Sequence, residues 1–262
     1  MKLKFDVADK YQPDPFIFED DGNLYLYVTG KKGVEAYSTD DLFGIWHYEG
    51  IIASIDGRYS YWAPSVTKYK GRYYLYFSCS SNDECQFMHA MVADSPLGPF
   101  MNPTCFYKRF SIDSHVVETE KGLFLWYSED NKDCDRIGTR VFVDKLIDPM
   151  TPTNQPREVI VPTMDEEIFK RGRNGDKDWH TIEGAFWFRE GDWQYVMYKN
   201  DFEEGSGHHS VIKYKGQYYA IYHARDLDCQ KRNEFAEART ARVCKLHVND
   251  GVITAERYSD HI

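Results

Sequence analysis

The 262-residue sequence contains no run of 18 apolar residues, so no membrane-spanning helix is expected. Its first residues, Met1-Lys2-Leu3-Lys4-Phe5-Asp6, lack the apolar core of an export leader. It is short of positive charge, with 32 Lys and Arg against 42 Asp and Glu and a net charge of −10. That balance speaks against nucleic acid and anionic membranes as partners, since both attract basic patches. None of the six cysteines (Cys79, Cys85, Cys105, Cys134, Cys229 and Cys244) stands in a Cys-x-x-Cys pair, so the common zinc spacing is absent. Free thiols and a cytoplasmic location are the expectation. No Asp-rich calcium loop occurs. Helical periodicity is also missing, and residues 164–171 are expected to give a single helical turn at most.

Aromatic residues are what the sequence has in abundance: 16%, as 20 Tyr, 16 Phe and 6 Trp. They concentrate in a repeated unit of a short strand, a Gly-bearing turn and an aromatic strand. It recurs at 14–27, 64–77, 113–127, 183–198 and 210–222. Each copy reads as a β-hairpin whose glycine supplies the positive φ of the turn. The turn glycines fall at 22, 71, 122, 191 and 216, so successive gaps are 49, 51, 69 and 25 residues. Units of about 50 residues with two marked and two weaker strands are the pattern of propeller blades. Segments 34–38, 87–93, 138–143, 239–248 and 252–256 supply candidate outer strands. The expectation is an all-β, five-bladed β-propeller forming a single catalytic domain over residues 1–262. The fourth blade is expected to be short, because only residues 199–206 separate Tyr198 from Gly207. An uncovered edge there would favour pairing with another chain, and the oligomeric state stays open.

Acids recur at the heads of these hairpins: Asp14, Asp113 and Glu183. Each has an ordinary explanation, since Asp14 precedes Pro15 in a turn-forming pair and Asp113 could bridge backbone amides. Strands deplete Glu, however, and Glu183 is followed by the aromatic run Phe186-Trp187-Phe188. If the first strand of each hairpin is the innermost of its blade, all three carboxyls converge on one mouth of the central channel. Such a pocket suits glycoside hydrolysis: one acid protonates the leaving oxygen, one carboxylate activates water, and a third raises the pKa of the acid. Trp62, Phe186 and Trp187 would offer ring faces to sugar C–H groups. The residues alone leave open which of Asp14 and Asp113 is the base.

Asp14-Pro15, Trp62-Ala63-Pro64-Ser65, Ile112-Asp113-Ser114, Thr181-Ile182-Glu183-Gly184 and Gly207-His208-His209-Ser210 together resemble glycoside hydrolase family 43, a family of inverting five-bladed propellers. The resemblance covers most of residues 10–226. It implies that Asp14 is the general base, Glu183 the general acid and Asp113 the residue that tunes and orients the acid. It also implies that His208 stands near the channel axis, facing a central ion where one is present, and that Arg225 reaches the sugar. Otherwise His208 is a hydrogen-bonded structural histidine and Arg225 an ion-pair partner of Asp226. No cofactor is required by this chemistry, and calcium is the metal the resemblance would bring. The sequence departs from the family in lacking the outer part of the fourth blade. The expected activity is release of terminal arabinofuranosyl or xylosyl residues from small oligosaccharides. Endo-arabinanase action and a non-catalytic, sugar-binding propeller are the competing readings.

Overall fold

The hairpins form because apolar and aromatic side chains alternate along strands joined by turns that glycine alone fits without strain. Gly22, Gly71, Gly122, Gly191 and Gly216 have φ of 79°, 79°, 109°, 57° and 81°, the left-handed backbone such turns require. The computed structural model describes residues 1–7, 10–81, 85–198, 206–225 and 239–256. Five sheets result.

Blade I contains β1 (Lys4–Phe5), β2 (Phe16–Asp20), β3 (Asn23–Val28), β4 (Val34–Thr39) and β5 (Ile45–Ala53), in the order β2-β3-β4-β5-β1. Blade II is β6 (Tyr59–Tyr69), β7 (Arg72–Ser80), β8 (Phe87–Ala93) and β9 (Met101–Cys105). Blade III has β10 (Ile112–Thr119), β11 (Gly122–Asn131) and β12 (Gly138–Asp148). Beyond them come the short β13 (Thr151–Pro152) and β14 (Arg157–Ile160), and the hairpin of β15 (Ile168–Asn174) and β16 (Lys177–Thr181). Blade IV is β17 (Phe186–Glu190) and β18 (Trp193–Met197). Blade V is β19 (Gly207–Tyr214), β20 (Gln217–Arg225), β21 (Arg239–Asn249) and β22 (Val252–Ala255). The helical turn expected within 164–171 is a 3-10 turn at Asp165–Glu167, where Glu167 Oε2 accepts the Thr163 and Met164 amides.

The innermost strands β2, β6, β10, β17 and β19 pack in a closed ring. Side chains near the start of three of these strands meet at its axis. Phe16, His115 and Phe186 are in mutual contact, with the His115 and Phe186 rings stacked at 4.1 Å. Ser210 Oγ donates to the Pro15 carbonyl and accepts the Ile17 amide. Ser65 and Ser114 hydroxyls meet at 3.2 Å. Between blades the filling is apolar: Leu26, Tyr27, Tyr37, Leu75, Tyr76, Phe77, Leu125 and Tyr127 are fully buried. Each such side chain is worth about 1.5–3 kcal/mol of burial.

The ring closes through its first strand. Strand β1 runs parallel to β5, and its neighbour Leu3 donates to the Ala241 carbonyl of blade V at 3.0 Å. Leu3 is buried against both blades. The fourth blade shows two strands among the described residues, as its short spacing predicts. The β21–β22 turn reaches over it. Gly251 donates to Tyr195 Oη at 3.0 Å, and its φ of 83° and its closeness to the Trp193 ring leave no room for a side chain.

Candidate active site

Each inner strand is entered through a left-handed residue: Asp14 (φ 54°), Ala63 (45°), Asp113 (59°), Gly184 (67°) and His208 (21°). Bulges in β6, β10 and β19 accompany these positions. A left-handed kink re-aims a side chain out of the pleat, and here it turns the chain at one mouth of the channel. Asp14 and Asp113 are therefore equivalent. Glu183 is not their equivalent, contrary to the sequence expectation: Gly184 holds the matching position and Glu183 precedes it by one. The longer Glu side chain acts from that earlier position, while the Gly184 amide donates to Asp113 Oδ2 at 3.0 Å.

Glu183 is delivered by the β15–β16 hairpin, which accounts for the 69-residue gap. Strand β16 pairs in parallel with β12, Gly138 opposite His180 and Thr139 opposite Thr181. The His180 amide donates to Ile137 O and the Ile182 amide to Thr139 O. Gly138 has φ 137°, and a Cβ there would run into the His180 backbone. Ile182, 1% exposed, anchors the segment one residue before the acid.

Asp14 is buried and heavily bonded. Thr29 Oγ1 donates to Oδ2 at 2.5 Å and Arg239 Nη1 to Oδ1 at 2.9 Å. The Thr29 hydroxyl in turn accepts the Ala63 amide at 2.9 Å, tying blade I to blade II. The Asp14 amide donates to His223 Nδ1 at 3.0 Å, and Arg239 Nη1 lies 3.4 Å from Nε2 of the same ring. Burial alone would raise the Asp14 pKa. The Arg239 guanidinium, then His223 and His208, override it and hold the carboxyl well below its usual range.

Asp113 and Glu183 are displaced the other way. Burial, and then the Asp14 charge, push Asp113 up. Glu183 is raised by its setting deep among protein atoms, then by Asp113 and Asp14. Glu183 is nevertheless exposed to solvent. The two form a coupled pair that retains a proton near neutral pH. His208 Nδ1 lies 3.5 Å from Asp113 Oδ1, and burial lowers its pKa.

The structure thus brings Asp14, Asp113, Glu183 and His208 to one mouth of the channel. Trp62, 40% exposed, stands one residue before Ala63 at the same mouth. Phe186 and Trp187 do not join them: Phe186 is 7% exposed and belongs to the axial plug, and the Trp187 side chain faces the space between blades III and IV beside Phe124 and Trp126. Arg225 is half-buried at the end of β20, directly across from Arg239. Its suggested partner Asp226 lies outside the described residues. Sequence reasoning missed Thr29, His223 and Arg239. A signal for a counter-charge existed, since a buried carboxylate kept ionised needs a cation, but nothing marked Arg239 among its neighbours in β21. Calcium fits poorly. It takes six to eight oxygen ligands, whereas the buried groups without partners near the axis are the imidazole nitrogens His115 Nδ1 and His209 Nε2. Among the described residues no group of three or more His, Cys, Asp or Glu is placed to hold an ion.

Comparison with known proteins agrees with this fold. The sequence model of Glycosyl hydrolases family 43 matches residues 6–204. A xylosidase/arabinosidase of Bacteroides ovatus is 24% identical, with 95% of this chain and 96% of that protein aligned. A thermostable family-43 glycoside hydrolase superposes with a TM-score of 0.79 at 20% identity, over 98% of this chain and 97% of the other. A Cellvibrio cellulosa α-L-arabinanase, solved with arabinohexaose, superposes with a TM-score of 0.69 at 17% identity, over 95% and 96%. The likeness extends around all five blades, and the chain belongs to glycosyl hydrolases family 43, the O-glycosyl hydrolases built on this propeller.

Proposed function

We propose that the protein is an inverting, exo-acting glycosidase that removes terminal arabinofuranosyl or xylosyl residues from oligosaccharides. Asp14 is the base, Glu183 the acid, and Asp113 the group that keeps the acid protonated. One arrangement supports this reading: at one mouth of the channel Asp14 accepts from Arg239 Nη1 at 2.9 Å, which pulls its pKa down, while burial and then the charges of Asp113 and Asp14 push that of Glu183 up. Opposite displacement of two carboxyls is what a base and an acid at one pH require. In the single displacement, Asp14 takes a proton from water as the water oxygen bonds the anomeric carbon. Glu183 gives its proton to the departing glycosidic oxygen. Trp62 and Arg225 would contact the sugar. The relatives named above motivate the choice of pentose.

The test is hydrolysis of arabino- and xylo-oligosaccharides followed by NMR of the newly released anomer. The expected result is inverted configuration at first release, and loss of at least about 10²-fold in kcat for Glu183→Gln. Undiminished turnover in that variant would defeat the assignment of the acid. An endo-acting arabinanase is the second reading, drawn from the relative solved with arabinohexaose. Internal fragments as first products, in place of monosaccharide, would favour it.

A further inference from the structure

Blades III and IV meet at their inner strands, where His115 Nε2 lies 2.9 Å from Trp187 O, and beyond that contact a cavity of about 640 Å³ opens between them. Strand alternation sets Phe124 and Trp126 on one wall, from β11, and Trp187 and Arg189 on the other, from β17. All three aromatic side chains are only partly buried. Gln194, opposite Arg189 on β18, and Glu118, near the end of β10, complete the rim.

We propose that this wedge is a second, non-catalytic carbohydrate site that holds a remote stretch of the arabinose- or xylose-containing chain whose end enters the recess. The polar groups are primed for hydroxyls. Trp187 Nε1 donates to Gln194 Oε1 at 3.3 Å, which engages the amide's acceptor and leaves its NH₂ unspent. Arg189 Nε donates to Gly191 O at 2.9 Å, and its terminal NH groups have no partner among the described residues. Glu118 brings a carboxylate to the same rim. A wholly apolar ligand would strip water from these groups and return nothing. A strongly ionic one would meet charges of both signs beside aromatic rings. A neutral sugar chain uses everything present: its C–H faces lie on the rings, and its hydroxyls bond to guanidinium, amide and carboxylate. The volume falls within the range of small-ligand sites, about 300–1,000 Å³.

The wedge is separate from the reaction recess. Asp113 and the nearest wedge residue on β10, Val117, are four positions apart, which at ~3.3 Å per residue is about 13 Å. A polymer held there raises the local concentration of its own ends at the recess. The nature of the polymer rests on the proposed function.

The test uses the whole protein with Trp187→Ala and Gln194→Ala, two changes outside the recess. Turnover of 4-nitrophenyl arabinofuranoside and xyloside is measured beside retardation in gels containing soluble arabinan or arabinoxylan. Both variants should bind polymer about tenfold more weakly and turn over the small glycosides as the parent does. Polymer should also shift the tryptophan emission of the parent but not of Trp187→Ala. Equal retardation of parent and Gln194→Ala, whose altered side chain is exposed, would overturn the proposal, as would no retardation at all. Retardation lost in both variants, in a parent that turns over neither glycoside, would uphold the wedge and defeat the proposed reaction.

Discussion

Replacing Asp113 with Asn removes one charge from the recess while keeping an oxygen for the Gly184 amide. That amide, bonded to Asp113 Oδ2 at 3.0 Å, belongs to the residue after Glu183. Backbone dimensions then put the two carboxyls on the order of 6 Å apart. Across an effective dielectric of about 20–40, a unit charge at that separation is worth about 1.4–2.8 kcal/mol, or about one to two pH units. Glu183 is open to solvent, so screening selects the lower end, about one unit. The direction follows from charge: Asp113 raises the Glu183 pKa, so removing Asp113 lowers it and the acid loses its proton sooner. The assay is kcat/KM against pH with an unactivated oligosaccharide, whose leaving group needs the proton. The alkaline limb should move down by about one pH unit in Asp113→Asn. A stationary limb, or one that moves up, would refute the claim that Asp113 keeps Glu183 protonated.

Arg239→Ala removes a charge-assisted bond from Asp14, worth about 1.5–3 kcal/mol, and should move the acid limb of the same profile up by about one to two units. An acid limb that stays put would show that Arg239 does not hold the base ionised. Gly138→Ala forces a Cβ against the His180 backbone at a left-handed φ and should cost at least about 2 kcal/mol, seen as a fall of about 4–8 °C in Tm by calorimetry. Activity per folded molecule should fall too, because the disturbed pairing carries Glu183. An unchanged Tm would mean that β16 is not tied to β12 as described.

The blade plan was legible because its signals are local. Turn glycines and alternating aromatics write the period into the sequence, and the turns are left-handed where predicted. The three acids were legible as residues, but not their exact register. Asp14 and Asp113 adopt left-handed conformations that leave no mark in composition, so Glu183 looked equivalent when Gly184 is. Phe186 read as a sugar platform because a sequence does not say which way a strand faces, and its ring stacks on His115 at the axis. The partners of Asp14 were hidden for a different reason. His223 and Arg239 come from blade V, 209 and 225 positions away, and only closure of the ring brings them to blade I. The wedge was hidden likewise, since it exists only between two sheets.

The first strand has a consequence for how the molecule is made. Met1 and Val243 are bonded across 242 positions, and β1 lies against β5 while Leu3 reaches β21. During synthesis at about 5–20 residues per second, the opening segment waits until blade V has emerged. Asp14 waits with it, because Arg239 and His223 arrive in that same final blade. Ring closure is therefore a late step of high contact order. Asp14, the proposed base, meets Arg239 in the same event that seals the propeller, so a nascent chain short of blade V carries the three acids without that partner.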